Sequence, residues 1–367
     1  MTSAIYVPPQ EARSELNDLR HGHIVIIAAR WLFVSAALLF VLYRPQSVAD
    51  VTEGVLAVLA IAAVNFYLHT RPLTNRPVER SWAYGASVAD LIAISALILI
   101  QGTVTGNTRV FYYPAILAYA LVFPPAVTMA MTAGVLGFVF VAGVGNNLDV
   151  RVLVAQLLSL GVTALIGWRY RKVEARRRAR RAEFAREPFA SESGRIEEQE
   201  DLFYGQIVCI LARWALIGGA LFLCLYQATD VARLERSLIP LMAIIAANFF
   251  LQARYMMGLP ANKLLLQCAG AIDLIAITAI VAAGNPEFFV FYYPVVAAFA
   301  LVFVRRFTLM FTGMLALGYA AVFVLVPPGL HFNGDELTLA IRLVTLVGTG
   351  LLATMYWRIQ RARAREE

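Results

Sequence analysis

The chain has 367 residues, of which 60% are hydrophobic and 15% are charged, and its mean hydropathy is +0.69. Ordinary soluble domains are about 45–50% apolar and about 25% charged, so this composition excludes a water-soluble globular protein. The net charge of +7 would fit a nucleic-acid-binding protein only if the basic residues shared one exposed face. They are instead distributed around apolar segments, so we expect a lipid bilayer as the solvent and no nucleic-acid partner.

Apolar segments follow one another along almost the whole chain, and each is roughly long enough to cross about 30 Å of hydrocarbon as a helix. Backbone groups inside lipid must hydrogen-bond within their own segment, so helices are the expected structure. The segments are 23–43, 51–70, 83–101, 110–123, 126–143, 152–170, 206–226, 238–255, 265–283, 289–303, 307–326 and 339–357. The sequence therefore predicts an all-α polytopic membrane protein with twelve transmembrane helices.

The first half of the chain is repeated in the second half. Residues 22–43 read GHIVIIAARWLFVSAALLFVLY and residues 205–226 read GQIVCILARWALIGGALFLCLY, with a constant shift of 183 positions. After a slip of three residues, Phe-Tyr-Tyr-Pro at 111–114 matches the same four residues at 291–294. An internal repeat defines the unit of folding, so we expect two tandem six-helix repeats.

Basic residues lie mainly on one side of the predicted membrane. Most of the 31 Lys and Arg fall in the linker after the sixth segment, at the C-terminus and in the connections on that side. This positive-inside pattern predicts that both termini lie in the cytoplasm. An even number of spans per repeat gives both repeats the same orientation, so we expect parallel repeats related by an axis along the membrane normal.

The predicted organisation follows from these segments. It comprises a cytoplasmic N-terminal segment (1–22), a first membrane repeat (23–170), a basic linker helix with a lead-in (171–205), a second membrane repeat (206–357) and a short basic cytoplasmic tail (358–367). The linker, RYRKVEARRRARRAEFAR at 169–186, is expected to continue the sixth helix. Two interpretations fit its charge: an anchor on anionic headgroups, at about 1 kcal/mol per basic residue, or a docking helix for an acidic partner.

Each predicted repeat contains one set of polar residues inside apolar segments. At about 1.5 Å per residue they fall in a single layer roughly 8–11 Å from the cytoplasmic end of their segments. This intramembrane polar layer consists of Arg30, Asn65 and Asp90, repeated as Arg213, Asn248 and Asp273. An uncompensated charge in the bilayer costs from about 3 to over 10 kcal/mol, so we expect Arg30–Asp90 and Arg213–Asp273 pairs with an asparagine near each. The pairs are interpreted either as internal staples or as a proton- or ligand-responsive layer.

The outer turn of each repeat carries the second signal. Residues 102–116 read GTVTGNTRVFYYPAI and residues 282–296 read AAGNPEFFVFYYPVV, so glycine and asparagine precede an aromatic cluster and a proline. One interpretation is a tight turn with interfacial aromatic residues. The alternative is an aromatic-lined pocket for a flat amphipathic molecule such as a quinone, or for a lipid. The candidate binding residues are Tyr112, Tyr113, Pro114, Gly284, Asn285, Pro286, Phe288, Tyr292, Tyr293 and Pro294.

The sequence offers no pattern typical of catalysis or of a metal centre. The histidines, His21, His23, His69 and His331, are scattered near segment ends and loops without metal-ligand or haem spacing. Phosphate-binding, zinc-protease and nucleophile-elbow motifs are absent from the sequence. We therefore expect a non-enzymatic protein with no metal and no catalytic residue.

The order of these motifs resembles a known sensory region. Arg30-Trp31, Asn65, Asp90 and the segment 102–114, repeated as Arg213-Trp214, Asn248, Asp273 and 284–294, are similar to the six-helix membrane region of bacterial sensor histidine kinases of the redox-sensing RegB/PrrB type. In that family the outer turn carries a GGxxNPF-type element implicated in quinone sensing. Gly284-Asn285-Pro286-Glu287-Phe288 keeps part of it, whereas the first repeat has Gly106-Asn107 without a proline.

The resemblance implies quinone sensing, a bacterial-type inner (plasma) membrane and a dimer fused into one chain, but no kinase domain follows either repeat in this sequence. The predicted function is a non-catalytic, sensor-like or accessory module that acts through membrane protein partners and binds a quinone or lipid. A second hypothesis is a secondary transporter built of two six-helix halves, which requires a continuous polar path between them. A third is a purely structural subunit of a membrane bioenergetic complex.

Overall fold

A computed structural model describes residues 25–35, 37, 58–59, 61–67, 80–100, 107–184, 193–225, 231–257, 259, 262–303, 305–325 and 336–366. The helices are α1 (Val25–Ser35), α2 (61–67), α3 (Arg80–Ile100), α4 (Tyr112–Val122), α5 (Pro125–Gly145), α6 (Val150–Phe184), α7 (Ser193–Leu225), α8 (Val231–Met256), α9 (Lys263–Ala282), α10 (Tyr292–Val302), α11 (Arg305–Leu325) and α12 (Glu336–Glu366). Short 3₁₀ turns, Asn107–Phe111 and Pro286–Phe291, lead into α4 and α10. These described ranges contain no strand.

Within the described part of the chain, seven helices are long and apolar enough to cross a membrane, namely α3, α5, α6, α8, α9, α11 and α12. Only 28% of the apolar section of α5 or α8 is buried, against 61% for α12. The remaining apolar surface is exposed, as at Val141, Ile239 and Leu317. Apolar exposure on this scale indicates a lipid environment. The protein is therefore an all-α, multi-pass membrane protein.

The two short helices lie inside the bundle. Helices α4 and α10 contain 11 residues each, about half the length needed to cross 30 Å of hydrocarbon. Every residue of α4 is buried, and so is the stretch 292–300 of α10. The segments 110–123 and 289–303, predicted as full spans, are thus each a 3₁₀ turn followed by a short interior helix.

The centre of the molecule is built from α4, α6, α10 and α12. Helix α6 packs against both α4 and α10, and α12 packs against both α10 and α4. Between the short helices, the rings of Tyr113 and Tyr293 stack with centroids 4.3 Å apart and planes 1° apart. The last helix of each half therefore contacts the short helix of both halves.

Helices α6 and α12 continue beyond their apolar sections. The apolar section of α6 ends at Lys172, but the helix runs on to Phe184, as the sequence predicted. The apolar section of α12 ends at Met355, and the helix runs on to Glu366. Helix α7 already begins at Ser193, inside the predicted lead-in. The predicted N-terminal segment (1–22) and the helix-ending Pro188 lie outside the described residues.

Helices α4 and α6 approach closely at Gly167. A Cβ atom at this position would lie 2.5 Å from the Cβ of Ala120, which has no flexible atoms that could move away. A Cβ atom at Gly161, on the same helix, would meet no atom of a neighbouring element within 4 Å. Only the first of these two glycines is therefore required by the packing of α6 on α4.

We predict that Gly167→Ala lowers the free energy of unfolding by about 1–3 kcal/mol, because α6 must shift away from α4. Gly161→Ala is the matched control and should be neutral or slightly stabilising, because alanine favours a helix more than glycine does. Thermal unfolding of both variants in the same detergent checks this. Equal stability of the two variants would contradict the close approach.

Candidate functional site

Both predicted ion pairs are present. Arg30 on α1 donates from Nε to Oδ2 of Asp90 on α3 over 2.5 Å. Arg213 on α7 donates from Nε and Nη2 to Oδ2 of Asp273 on α9, over 2.8 and 2.7 Å. The four side chains are buried, so each charge depends on its partner for compensation.

The two predicted asparagines bond to backbone carbonyls close to the arginines. Asn65 on α2 donates to the carbonyl of Ile27, one turn before Arg30, and the atoms are 3.5 Å apart. Asn248 on α8 makes the equivalent contact with the carbonyl of Ile210, also at 3.5 Å. Both distances lie at the outer limit of a hydrogen bond. The asparagines therefore position the second helix of each half against the first.

The two layers also differ at a tyrosine that sequence reasoning missed. The hydroxyl of Tyr119 on α4 donates to Oδ2 of Asp90 over 3.1 Å. At the equivalent position, shifted by 180 residues, the second half has Phe299, which cannot donate. Where the first half has Ser87, the second has Gly270, and the Phe299 ring occupies the space of a Gly270 side chain. Comparison of the two repeats position by position would have revealed this exchange.

The four predicted tyrosines are buried, with at most 1% of each exposed. Tyr112 shares a hydrogen bond with Ser95 at 2.6 Å. Tyr292 and Tyr293 make corresponding bonds with Thr278 at 2.8 Å and Thr345 at 2.6 Å. The interpretation of these residues as an interfacial aromatic belt is wrong, because α4 and α10 lie in the interior. Pro114 and Pro294 occupy the first turns of these helices, where a missing N–H costs nothing.

The outer turn of the second half is bound to the first half by Arg151, at the start of α6. Its Nη2 donates to the carbonyl of Leu223 over 2.8 Å and to Oδ1 of Asn285 over 3.3 Å. It also lies 3.5 Å from the carboxylate of Glu287. Asn285 in turn donates to Ser237 over 2.8 Å. Sequence reasoning missed Arg151 because its partners are far away along the chain.

The other candidate residues of this turn have structural contacts. Gly284 has a φ of 94°, in the left-handed region that favours glycine. Pro286 begins the 3₁₀ turn. Phe288 is fully buried and packs edge-on against Phe291, with centroids 5.2 Å apart. In the first half, Asn107 begins the corresponding turn, whereas Gly106 lies outside the described residues.

A further cationic side chain lies beside the stacked tyrosines. Arg342 on α12 donates to the hydroxyl of Tyr319 over 2.7 Å, and its guanidinium lies 4.9 Å from the ring centre of Phe289. A cation over an aromatic face is attracted by the ring quadrupole. The sequence did not predict a role for this arginine, because Tyr319 and Phe289 lie on two other elements.

A groove of about 610 Å³ lies between α2 and α3. Small residues, including Gly85 and Ala89, form its floor, and the rings of Tyr67 and Trp82 border it with centroids 6.3 Å apart. At the positions equivalent to Gly85 and Ala89 the second half has the bulkier Cys268 and Ile272. A groove of this size and composition is suited to an apolar ligand such as a lipid chain.

The site consists of ion pairs and hydrogen bonds that join the helices. Among the described residues no group of three or more His, Cys, Asp or Glu side chains could hold a metal ion. Comparison of the chain with protein-family models, curated proteins and solved structures found no match. The proposed function therefore depends on the geometry and on the chain's own sequence.

We predict that Asp273→Leu lowers the free energy of unfolding by about 3–5 kcal/mol, because it leaves the charge of Arg213 buried without its partner. The double change Arg213→Leu with Asp273→Leu should recover most of that loss, because an apolar pair of similar volume needs no compensation. Unfolding of the single and double variants in detergent measures both. A double variant as unstable as the single one would contradict this account.

Proposed function

We propose that the protein is a non-catalytic, sensor-like or accessory membrane module made of two parallel six-helix repeats, which together form a dimer within one chain. The supporting observation is the stack between Tyr113 and Tyr293, which occupy equivalent positions of the two repeats. A contact of a residue with its own equivalent is characteristic of a two-fold axis. The nearly parallel ring planes favour such an axis through the centre of the molecule.

Equivalent contacts elsewhere support the same proposal. Helix α6 packs on α10 as α12 packs on α4, and each half has its own Arg–Asp pair. The proposed total of twelve spans adds α1, α2 and α7 to the seven long apolar helices, and counts each 3₁₀ turn together with the short helix that follows it (107–122 and 286–302) as one further span of roughly 26–28 Å. An arrangement of this kind keeps the beginnings of both repeats on the same side of the bilayer.

The proposed membrane is a bacterial-type inner membrane, with both termini in the cytoplasm. The extensions of α6 and α12 beyond their apolar sections are strongly basic in sequence, which favours a position against anionic cytoplasmic headgroups. In the sensor kinases that the sequence resembles, the last span continues into a signalling helix. We propose that the two extensions are the surfaces through which this module contacts its membrane protein partners.

A quinone or a lipid is the proposed ligand, at the outer turn of the second half. The amide of Asn285 already bonds Ser237 and Arg151, so a ligand that used this amide would compete with a contact between the halves. Ligand binding would therefore change the association of the halves. This coupling supports a sensor-like role. A transporter is less well supported, since packed rings and helices fill the region between the halves.

The proposal is tested by isolating the tagged full chain from its native membranes in a mild detergent. We expect a membrane protein partner to co-purify with one copy of the chain, because the two halves already satisfy each other's dimer contact. A lone chain without a partner, or a stable homodimer of the full chain, would contradict the proposal. A variant with Arg177, Arg178 and Arg180 changed to Gln tests whether the partner docks on the linker. An acidic partner that binds these arginines should be lost, whereas a partner that still co-purifies binds elsewhere on the protein.

A further inference from the structure

We propose that a single water molecule is bound beside the Arg213–Asp273 pair in the second half, and that the Tyr119 hydroxyl takes its place in the first half. This inference is independent of the proposed function. It concerns the carboxylate of the second half: Nη1 and Nη2 of Arg30 are also buried without hydrogen-bond partners among the described residues, so the unmet oxygen of Asp273, and not the arginines, distinguishes the two halves.

The first observation is a cavity next to the pair. Its volume is about 20 Å³, and Arg213, Asp273, Cys209 and Phe299 are among the residues that line it. A buried water molecule needs a volume of at least about 10–15 Å³ and two to four polar partners. The cavity therefore has room for one water molecule and is too small for a quinone ring or a lipid chain.

The second observation is a pair of polar atoms without hydrogen-bond partners among the described residues. Oδ1 of Asp273 is an acceptor and Nη1 of Arg213 is a donor, and both atoms are buried. The residues are 5% and 4% exposed. A water molecule in the cavity can donate to Oδ1 of Asp273, and the Arg213 guanidinium, which also lines the cavity, supplies N–H donors to it. Water is the smallest molecule with this combination of donor and acceptor.

The first half explains why the cavity exists. There the Tyr119 hydroxyl donates to Asp90, and the equivalent residue in the second half, Phe299, borders the cavity without a hydroxyl. The second half has no phenolic hydroxyl beside its carboxylate, and Oδ1 of Asp273 has no hydrogen-bond partner among the described residues. A bound water molecule restores the oxygen in a form that can exchange with other molecules.

A second cavity provides an internal control. It also measures about 20 Å³ and borders Arg213 and Asp273, but its surface is almost entirely apolar, with Leu216, Ile277 and Phe291 among its lining residues. Apolar cavities of small size remain empty. Water is therefore expected in the cavity that Phe299 borders and not in the other, although the two have the same volume and border the same ion pair.

The test is a structure of the full chain in lipid nanodiscs, at a resolution that shows ordered water. We expect a density peak within hydrogen-bond distance of Oδ1 of Asp273 and of the Arg213 guanidinium, in the cavity that Phe299 borders, and none in the apolar cavity. Absence of the first peak, or equal peaks in both cavities, would overturn the proposal.

Structures of two reciprocal variants provide a second test. In Phe299→Tyr the peak should disappear and the new hydroxyl should lie within hydrogen-bond distance of Asp273. In Tyr119→Phe a new peak should appear beside Asp90. A water peak that persists in Phe299→Tyr beside an unbonded hydroxyl would overturn the proposal. If Phe299→Tyr does not fold, the wild-type map and Tyr119→Phe still decide the outcome.

Discussion

The ion pair in each half is the interaction on which the arrangement of the first three helices of that half depends. Arg30 and Asp90 lie on α1 and α3, so a rotation of either helix that separates them would expose a charge to hydrocarbon. That penalty is several kcal/mol or more, which is larger than the gain from most alternative apolar contacts. Asn65 adds α2 to the same layer through its contact with α1. One layer of three polar residues thus sets the order and rotation of three helices, and Arg213, Asn248 and Asp273 do the same in the second half.

The interior helices connect these layers to the centre of the molecule. In the first half, Tyr119 extends from α4 to Asp90, so the polar layer and the central helix share a hydrogen bond. In the second half, the Phe299 ring packs onto Gly270, so the corresponding connection is apolar. The same α4 also carries Tyr113, whose ring meets Tyr293 of α10 between the halves. A change at the ion pair of the first half therefore has a short path to the contact between the halves, through one helix of 11 residues.

Much of this arrangement could be predicted from the sequence. The Arg–Asp pairs followed from the cost of a lone charge in lipid and from the equal depth of the two residues. The long helices begin and end within a few residues of the predicted spans. The exceptions, which extend further at one end, are α6, α7, α8 and α12. The position of the tyrosines was wrong, because sequence order alone placed them at a membrane interface. These tyrosines are buried because α4 and α10 each pack against both α6 and α12. The partners of Arg151 and Arg342 could not be predicted, because they depend on how helices distant in sequence are rotated and packed. The exchange of Tyr119 for Phe299 is visible when the two repeats are compared.

The central claim, that the two halves face the same way, is tested most directly by the position of their helix extensions. The native cysteines are first replaced by alanine, and a single cysteine is then introduced as Ala179→Cys on the α6 extension or Ala362→Cys on the α12 extension. Each variant is treated with a membrane-impermeant thiol reagent in intact cells and in inverted membrane vesicles. We expect both cysteines to react only in inverted vesicles. Reaction of one cysteine in intact cells and the other in inverted vesicles would show that the halves are inverted, and would contradict the claim.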